Sequence, residues 1–472
     1  MEMMRAVDYA FTYRGKESPA LRDVRFSASD GEVILVAGDS GSGKSTFLKS
    51  LNGLIPEIAE GRLDGSRLLK GEDMDKMPIY EISRSVGSVF QNPRSQFFTL
   101  HATSELVFAM ENYGLSRQEM ESRIGKLKAA LPIAPLLDRE IAQLSSGERQ
   151  LLALASAMTL LPDVLLLDEP SANLDYSNAM RLKEIMRTLK GQGKTILVAD
   201  HRFFYLNGLV DRVFLIEDGT LRVFESEESF RASGYNTRSF DLFGMDVPFH
   251  LHQPRGDPVI CVDGISKWDA LQDVSLSLYG REIAAIVGVN GAGKTTLARL
   301  LTRALKPDRG CIHGEGLPFC VMQDADFQLF GTCVESELDI GHKGLAQEKK
   351  QGALEQLGLW GLRDTHPFDL SGGEKQRLQI AVAALSDAKL VIFDEPTSGL
   401  DAKSMERVVR EVEKLAREKA VLVISHDYEF IRRVADRVLY LKDGRLQQDF
   451  MLGPETVGVL NQIFVDMEAG SG

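Results

Sequence analysis

One short pattern occurs twice in this chain, and the rest of the sequence is arranged around the two copies. Residues 38–45 read GDSGSGKS and residues 288–295 read GVNGAGKT, both of the form G-x-x-x-x-G-K-[ST]. Each follows an apolar run, VILVA at 33–37 and IAAIV at 283–287, of the kind a strand buried on both faces carries. Behind the first copy Phe47, Leu48, Leu51, Leu54 and Ile55 recur at helical spacing, and behind the second Leu297, Leu300, Leu301 and Leu305 do the same. A lone match can be a chance glycine-rich turn, but two matches between a strand and a helix read as phosphate loops. Glycines let successive backbone N–H groups converge on phosphate oxygens at the positive end of a helix. Lys44 and Lys294 then reach the β- and γ-phosphates, and the hydroxyls of Ser45 and Thr295 hold Mg²⁺. The candidate nucleotide-binding residues are Gly38, Asp39, Ser40, Gly41, Ser42, Gly43, Lys44, Ser45 and Thr46, with Gly288, Val289, Asn290, Gly291, Ala292, Gly293, Lys294, Thr295 and Thr296.

Length and charge narrow the class further. At 472 residues the chain exceeds one ordinary domain, and the duplicated loop argues for two of similar size. With 55 Lys+Arg against 68 Asp+Glu the net charge is −13, a poor match to a polyanion, so no nucleic-acid partner is expected. The opening residues MEMMRAVDYAFTYRG read as an edge strand rather than a targeting segment, which predicts a cytoplasmic protein. The most apolar window, 151–167, is interrupted by Ser156, Thr159, Pro162 and Asp163 and reads as helix, turn and strand rather than a membrane span. Cys261, Cys311, Cys320 and Cys333 form no C-x-x-C pair and read as core thiols in a reducing compartment.

The repeat extends past the phosphate loops. LSSGERQ at 144–150 is echoed by LSGGEKQ at 370–376, VLLLDEP at 164–170 by LVIFDEP at 390–396, SANLD at 171–175 by TSGLD at 397–401, and ADHR at 199–202 by SHDY at 425–428. These echoes stand 226 positions apart, whereas Lys44 and Lys294 stand 250 apart. Lys44 to Gln91 spans 47 positions and Lys294 to Gln323 only 29, so most of the first copy's extra length lies early. It falls around 56–78, where LDG and KGEDM predict a small antiparallel hairpin. Hydrophobic periodicity lapses and Gly and Pro gather between 225 and 258, which divides the chain into a first domain, 1–232, a linker, 233–256, and a second domain, 257–472.

In order, the phosphate loop, a glutamine loop, the LSGGE-like signature, the apolar-DE motif, a D-loop and a histidine loop make each half resemble the nucleotide-binding domain of ATP-binding cassette proteins. The resemblance covers nearly the whole chain. It implies an α/β fold of two P-loop NTPase domains, each a RecA-like core with an antiparallel β subdomain and a helical signature subdomain, using ATP and Mg²⁺. It also implies an internal head-to-tail dimer of the two halves, in which the phosphate loop of each shares an ATP with the signature of the other. The signature residues are Ser145, Ser146, Gly147 and Glu148 in the first half and Ser371, Gly372, Gly373 and Glu374 in the second. Ser146 departs from the family's glycine and is expected to weaken its site. Asp168 and Asp394, with Gln91 and Gln323, correspond to the family's Mg²⁺ contacts, and Asp175 and Asp401 to its D-loops. Glu169 and Glu395 would polarise the attacking water as general bases, while His201 and His426 would contact the γ-phosphate. Tyr13 is placed like the family's adenine-stacking aromatic, and Trp268 is its nearest counterpart, with simple packing as the other reading.

The remaining informative stretch is VFQNPRSQFF at 89–98, echoed by VMQDADFQLF at 321–330. The form Q-N-P-x-x-Q, followed by the acidic helix SELVFAMEN, resembles the ATPases of energy-coupling factor importers, which take up vitamins and transition-metal ions. The partners so implied are a transmembrane coupling protein and a small substrate-capturing membrane protein, at the cytoplasmic face of the membrane. Gln96, Phe97, Phe98, Gln328, Leu329 and Phe330 are candidates for the surface that meets them, with burial under the helical subdomain as the alternative. ATPases of sugar or peptide importers, and soluble tandem cassettes that act on ribosomes, are the competing readings. The latter join their halves by a long charged helical linker, which residues 225–258 lack.

Overall fold

The computed structural model describes residues 1–39, 41–92, 95–172, 174, 176–233, 235, 255–322, 325–340, 344–397 and 402–469. The chain divides into two compact units, Met1–Leu174 with Asn178–Gly244 and Asp175–Ser177 with Met245–Gly472. Most of the expected linker, 236–254, lies outside the described residues.

Each unit is built on a parallel sheet of the same strand order. In the first unit the order is Thr220–Phe224, Arg212–Glu217, Val33–Ala37, Thr195–Ala199, Val164–Asp168, Val86–Val89, with the outermost Thr220–Phe224 running antiparallel to its neighbour. In the second it is Arg445–Met451, Arg437–Lys442, Ile283–Val287, Ala420–Ile424, Leu390–Asp394, Phe319–Val321. The central strands are apolar throughout because both faces are covered. Val33, Leu35 and Ala37 point into one core cluster, shared with Leu106, Leu127, Leu152 and Met186 of the helices. Ile34 and Val36 point into the other, shared with Phe47, Leu51 and Phe26. Ile283 and Ile286 of the second unit divide the same way.

An antiparallel sheet flanks each core. Glu2–Tyr13 pairs with both Leu21–Ser29 and Gly61–Leu69, so the opening strand is central in its sheet rather than at an edge. Pro258–Lys267 takes the same central place between Leu271–Tyr279 and Arg309–Gly314. The predicted hairpin is present, Gly61–Leu69 turning back into Glu72–Asp73. Its first arm, however, has a counterpart in Arg309–Gly314. The first unit's surplus is the return strand, inside the expected 56–78, together with the helix Ile79–Ser85 just beyond it. The helices behind the phosphate loops, Lys44–Leu51 and Lys294–Leu301, are shorter than their apolar spacing predicts. The first stops where Gly53 turns left-handed at φ 80°, and Leu54 begins a separate turn. Window 151–167 resolves as expected into the helix Ser146–Ala157 and the strand Val164–Asp168. No helix among the described residues is long and apolar enough to cross a membrane. Of the cysteines, Cys320 packs against the core of the second unit as expected, whereas Cys311 is exposed and Cys261 and Cys333 are half-buried.

Candidate nucleotide site

The candidate residues gather at the carboxyl ends of the parallel strands, the edge where open α/β sheets bind ligands. Val33–Ala37 leads into the phosphate loop, Val86–Val89 into Gln91, Val164–Asp168 into Glu169, and Thr195–Ala199 into His201. The helix Lys44–Leu51 begins after Gly43, which is left-handed at φ 113° and supplies no side-chain cap. Its first amides are therefore left for an anion. Only glycine fits at 38, where a Cβ would come within 2.5 Å of the Ile216 carbonyl oxygen and of Ser42 Oγ. At 288 the same atom would lie 2.2 Å from the Leu441 carbonyl oxygen. Lys44 Nζ donates to the carbonyls of Gly38 (2.8 Å) and Asp39 (2.9 Å), and Lys294 Nζ to those of Gly288 (2.7 Å) and Val289 (3.0 Å). Both loops are thus folded around their own lysine, ready to surround a phosphate.

The carboxylates beside them suit a divalent cation. Asp168 Oδ1 is buried with no hydrogen-bond partner. Burial, then the charge of Glu169, pushes the Asp168 carboxyl up to about 6, and burial followed by Glu395 does the same to Asp394. Thr295 Oγ1 donates to Asp394 Oδ2 at 3.5 Å. A hydroxyl and crowded carboxylates form the all-oxygen donor set that Mg²⁺ takes, so the residues present fit the ion.

Glu169 and Glu395 are held in the left-handed region, at φ 47° and 52°. Their amides nevertheless donate to the next strand, to Ala199 O at 2.7 Å and Ile424 O at 2.8 Å. Such a conformation costs a non-glycine residue about 1–3 kcal/mol and concentrates at functional sites. Gln91 Nε2 donates to Glu169 Oε2 at 2.7 Å, and His201 Nε2 lies 3.5 Å from Glu169 Oε1. In the second unit His426 Nδ1 lies 2.7 Å from Glu395 Oε1, and Ser425 Oγ donates to Glu395 Oε2 at 3.4 Å. The structure therefore brings together Lys, Asp, Glu and His in each unit. Ser40, Gln323, Asp175 and Asp401 lie outside the described residues.

Strand register corrects the pairing of the histidine loops. Ala199 and Ile424, not Ala199 and Ser425, are equivalent, since each pairs with the strand-ending aspartate of its sheet. One extra residue between Tyr176 and Thr195 displaces the sequence echo, and His201 then superposes on His426. Two residues that sequence reasoning missed follow from this. Asp200, before its histidine, accepts the Ser171 amide (3.2 Å), and Asp427, after its histidine, accepts the Thr397 hydroxyl (3.1 Å). Either way a buried carboxylate ties the histidine loop to the residue two past the glutamate. The only trace in sequence is an aspartate on one or other side of the histidine.

The signature helices Ser146–Ala157 and Gly372–Leu385 start at Ser145 and Ser371, whose amides donate to Glu148 and Glu374 at 2.7 and 2.8 Å. A Cβ at Gly372 would meet nothing within 4 Å, so a side chain at this position, as at Ser146, is accommodated within its own unit. Tyr13 donates to or accepts from Thr46 Oγ1 at 3.0 Å, beside the phosphate-loop helix. Trp268 is 63% exposed, which removes the packing reading, and its amide is held by Asp308 at 2.9 Å.

The glutamine-loop candidates separate. Gln96 spans its own loop, accepting from the Phe90 amide at 3.1 Å and donating to Ser88 O at 3.0 Å, and Gln328 does the same with Met322 N and Cys320 O. Leu329 is buried and Phe97 packs against the core. Of those four Leu329 is buried and Gln96, Phe97 and Gln328 are half-buried, which favours the burial alternative over the surface role. Phe98 and Phe330 remain, 74% and 73% exposed. Buried Glu105 accepts from the amides of Phe98 and Thr99, and buried Glu337 from those of Phe330 and Gly331.

Two phosphate loops at sheet edges, each with a buried Mg²⁺-type carboxylate, a glutamate held by a histidine and a capped signature helix, define a tandem P-loop NTPase of the cassette type. The chain belongs to the ABC transporter family, whose profile matches residues 21–172 and 271–398. Members of this family bind ATP with Mg²⁺ and hydrolyse it. It is 38% identical over 475 residues to a Treponema denticola protein named "Putative ABC transporter ATP-binding protein", spanning 95% of this chain and 97% of that one. It is 31% identical over 499 residues to the Bacillus subtilis "Putative HMP/thiamine import ATP-binding protein YkoD", spanning 95% and 91%. Among solved structures, "RNase-L Inhibitor" matches with a TM-score of 0.69 at 23% identity over 96% of this chain and 92% of that one. At that identity the likeness shows the fold.

Proposed function

We propose that this chain is the ATP-hydrolysing subunit of an energy-coupling factor importer for a vitamin or a transition-metal ion. It would work as a peripheral protein at the cytoplasmic face of the membrane, bound to a transmembrane coupling protein and a small substrate-capturing membrane protein. The observation that carries this reading is the duplicated aromatic clamp. In each unit a buried glutamate holds the backbone so that one phenylalanine, Phe98 or Phe330, stands in solvent at the end of the glutamine loop. A large exposed aromatic presented by a buried charge suits a docking surface. The Bacillus subtilis relative named for HMP/thiamine import supports a vitamin as cargo.

In each unit the loop amides with Lys44 or Lys294 would bind the β- and γ-phosphates. Ser45 with Asp168, and Thr295 with Asp394, would hold Mg²⁺, which when bound neutralises phosphate charge for in-line displacement. Glu169 or Glu395 would accept the proton of the attacking water at a carboxylate oxygen, and His201 or His426 would keep that carboxylate aligned.

Affinity purification of the tagged chain from gently solubilised native membranes tests the reading. One large coupling protein with a small, very hydrophobic companion is the expected result. A paired permease with a separate binding protein would place the chain with conventional importers, and ribosomes without membrane protein would overturn transport.

A further inference from the structure

From the antiparallel sheet of the second unit we infer a binding site for a borderline divalent transition-metal cation, Zn²⁺ being the natural occupant, at Asp263, Cys311 and His313. Asp263 lies on Pro258–Lys267 and the other two on the adjoining Arg309–Gly314. Asp263 pairs directly with Cys311, and Cys261 with His313, so all three side chains stand on one face. That face is the solvent one, since Ile260, Val262 and Ile265 carry the opposite face into the core. His313 Nε2 lies 3.1 Å from Cys311 Sγ and 3.8 Å from Asp263 Oδ2, and the three donor atoms are all within 4.8 Å of one another. Ligands at about 2.0–2.3 Å around a tetrahedral ion stand about 3.3–3.6 Å apart, close to this spacing.

The backbone holds the strands at this separation. Gly310 is left-handed at φ 78°, and a Cβ there would come within 2.4 Å of the Asp263 and Gly264 carbonyl oxygens. Among the described residues no Lys or Arg pairs with Asp263. Thiolate and imidazole select Zn²⁺, Co²⁺ or Ni²⁺ over the Mg²⁺ of the nucleotide sites, which prefers oxygen ligands. As the ion binds, the Cys311 thiol gives its proton to solvent and the fourth position stays open to water. Cys261, at the remaining corner, accepts a hydrogen bond from Ser277 Oγ at 3.6 Å.

Co²⁺ is the probe, titrated into the full chain with excess Mg²⁺ and no nucleotide. The expected result is one Co²⁺ per chain with a thiolate-to-cobalt charge-transfer band, displaced by Zn²⁺. Cys311→Ser removes the band, and His313→Ala or Asp263→Asn weakens binding roughly tenfold or more, while binding of ATP with Mg²⁺ is retained. On the unmutated chain, Zn²⁺ slows alkylation of Cys311, read by mass spectrometry. Absence of the band, its persistence in Cys311→Ser, its loss in Cys261→Ser, or unprotected alkylation of Cys311 would overturn the site.

Discussion

The left-handed Glu169 and Glu395 show how a residue's chemistry depends on backbone it does not choose. A strand that ended straight would aim the next side chain along the sheet. Instead the positive φ turns each glutamate toward its histidine while its amide stays bonded to the neighbouring strand. Replacing both by glutamine keeps the shape and removes the base, so ATP turnover should fall by roughly 10²–10⁴-fold with ATP binding retained. Undiminished turnover in the double variant would remove these residues from the reaction. The single variants should differ, because His201 approaches Glu169 through Nε2 at 3.5 Å whereas His426 approaches Glu395 through Nδ1 at 2.7 Å. Steady-state ATPase rates of the two, compared side by side, check this.

Among elements, the loop between Val86–Val89 and the helix Ala102–Asn112 has its far end held by the buried Glu105. Glu105 takes the amides of Phe98 and Thr99 and the Thr99 hydroxyl, each at 3.0 Å. Glu105→Ala strands buried donors, at a cost of roughly 1–3 kcal/mol in unfolding free energy, and hydrogen exchange at amides 98 and 99 should accelerate. Phe98→Ala removes an exposed ring that stacks on Phe108 at 5.0 Å. It should leave the unfolding free energy within about 0.5 kcal/mol of the parent and lower recovery of membrane partners. Unchanged recovery would mean that the ring serves another purpose.

For the whole molecule, two phosphate loops make ligand binding a stability measurement. A ligand that binds only the folded state at 100 times its dissociation constant adds about 2.7 kcal/mol. ATP with Mg²⁺ should therefore raise the melting temperature of the full chain, and EDTA should reverse most of the shift. Lys44→Ala and Lys294→Ala should each remove part of it and the double variant all of it. A shift that survives in the double variant would place the nucleotide elsewhere.

The duplication, the α/β class and most of each candidate nucleotide site are legible along the chain, because phosphate loops, strand-ending carboxylates and capped signature helices are local devices written in consecutive residues. What depends on neighbours distant in the chain is set by folding. The opening strand became central because two strands from later in the chain pair with it. His201 and His426 became equivalent through strand register, one residue away from the sequence echo. Gln96 and Gln328 turned inward because carbonyls and amides of their own loops needed partners, which left Phe98 and Phe330 outside. Asp263, Cys311 and His313 meet across two strands joined by more than forty residues, a juxtaposition that no local pattern carries.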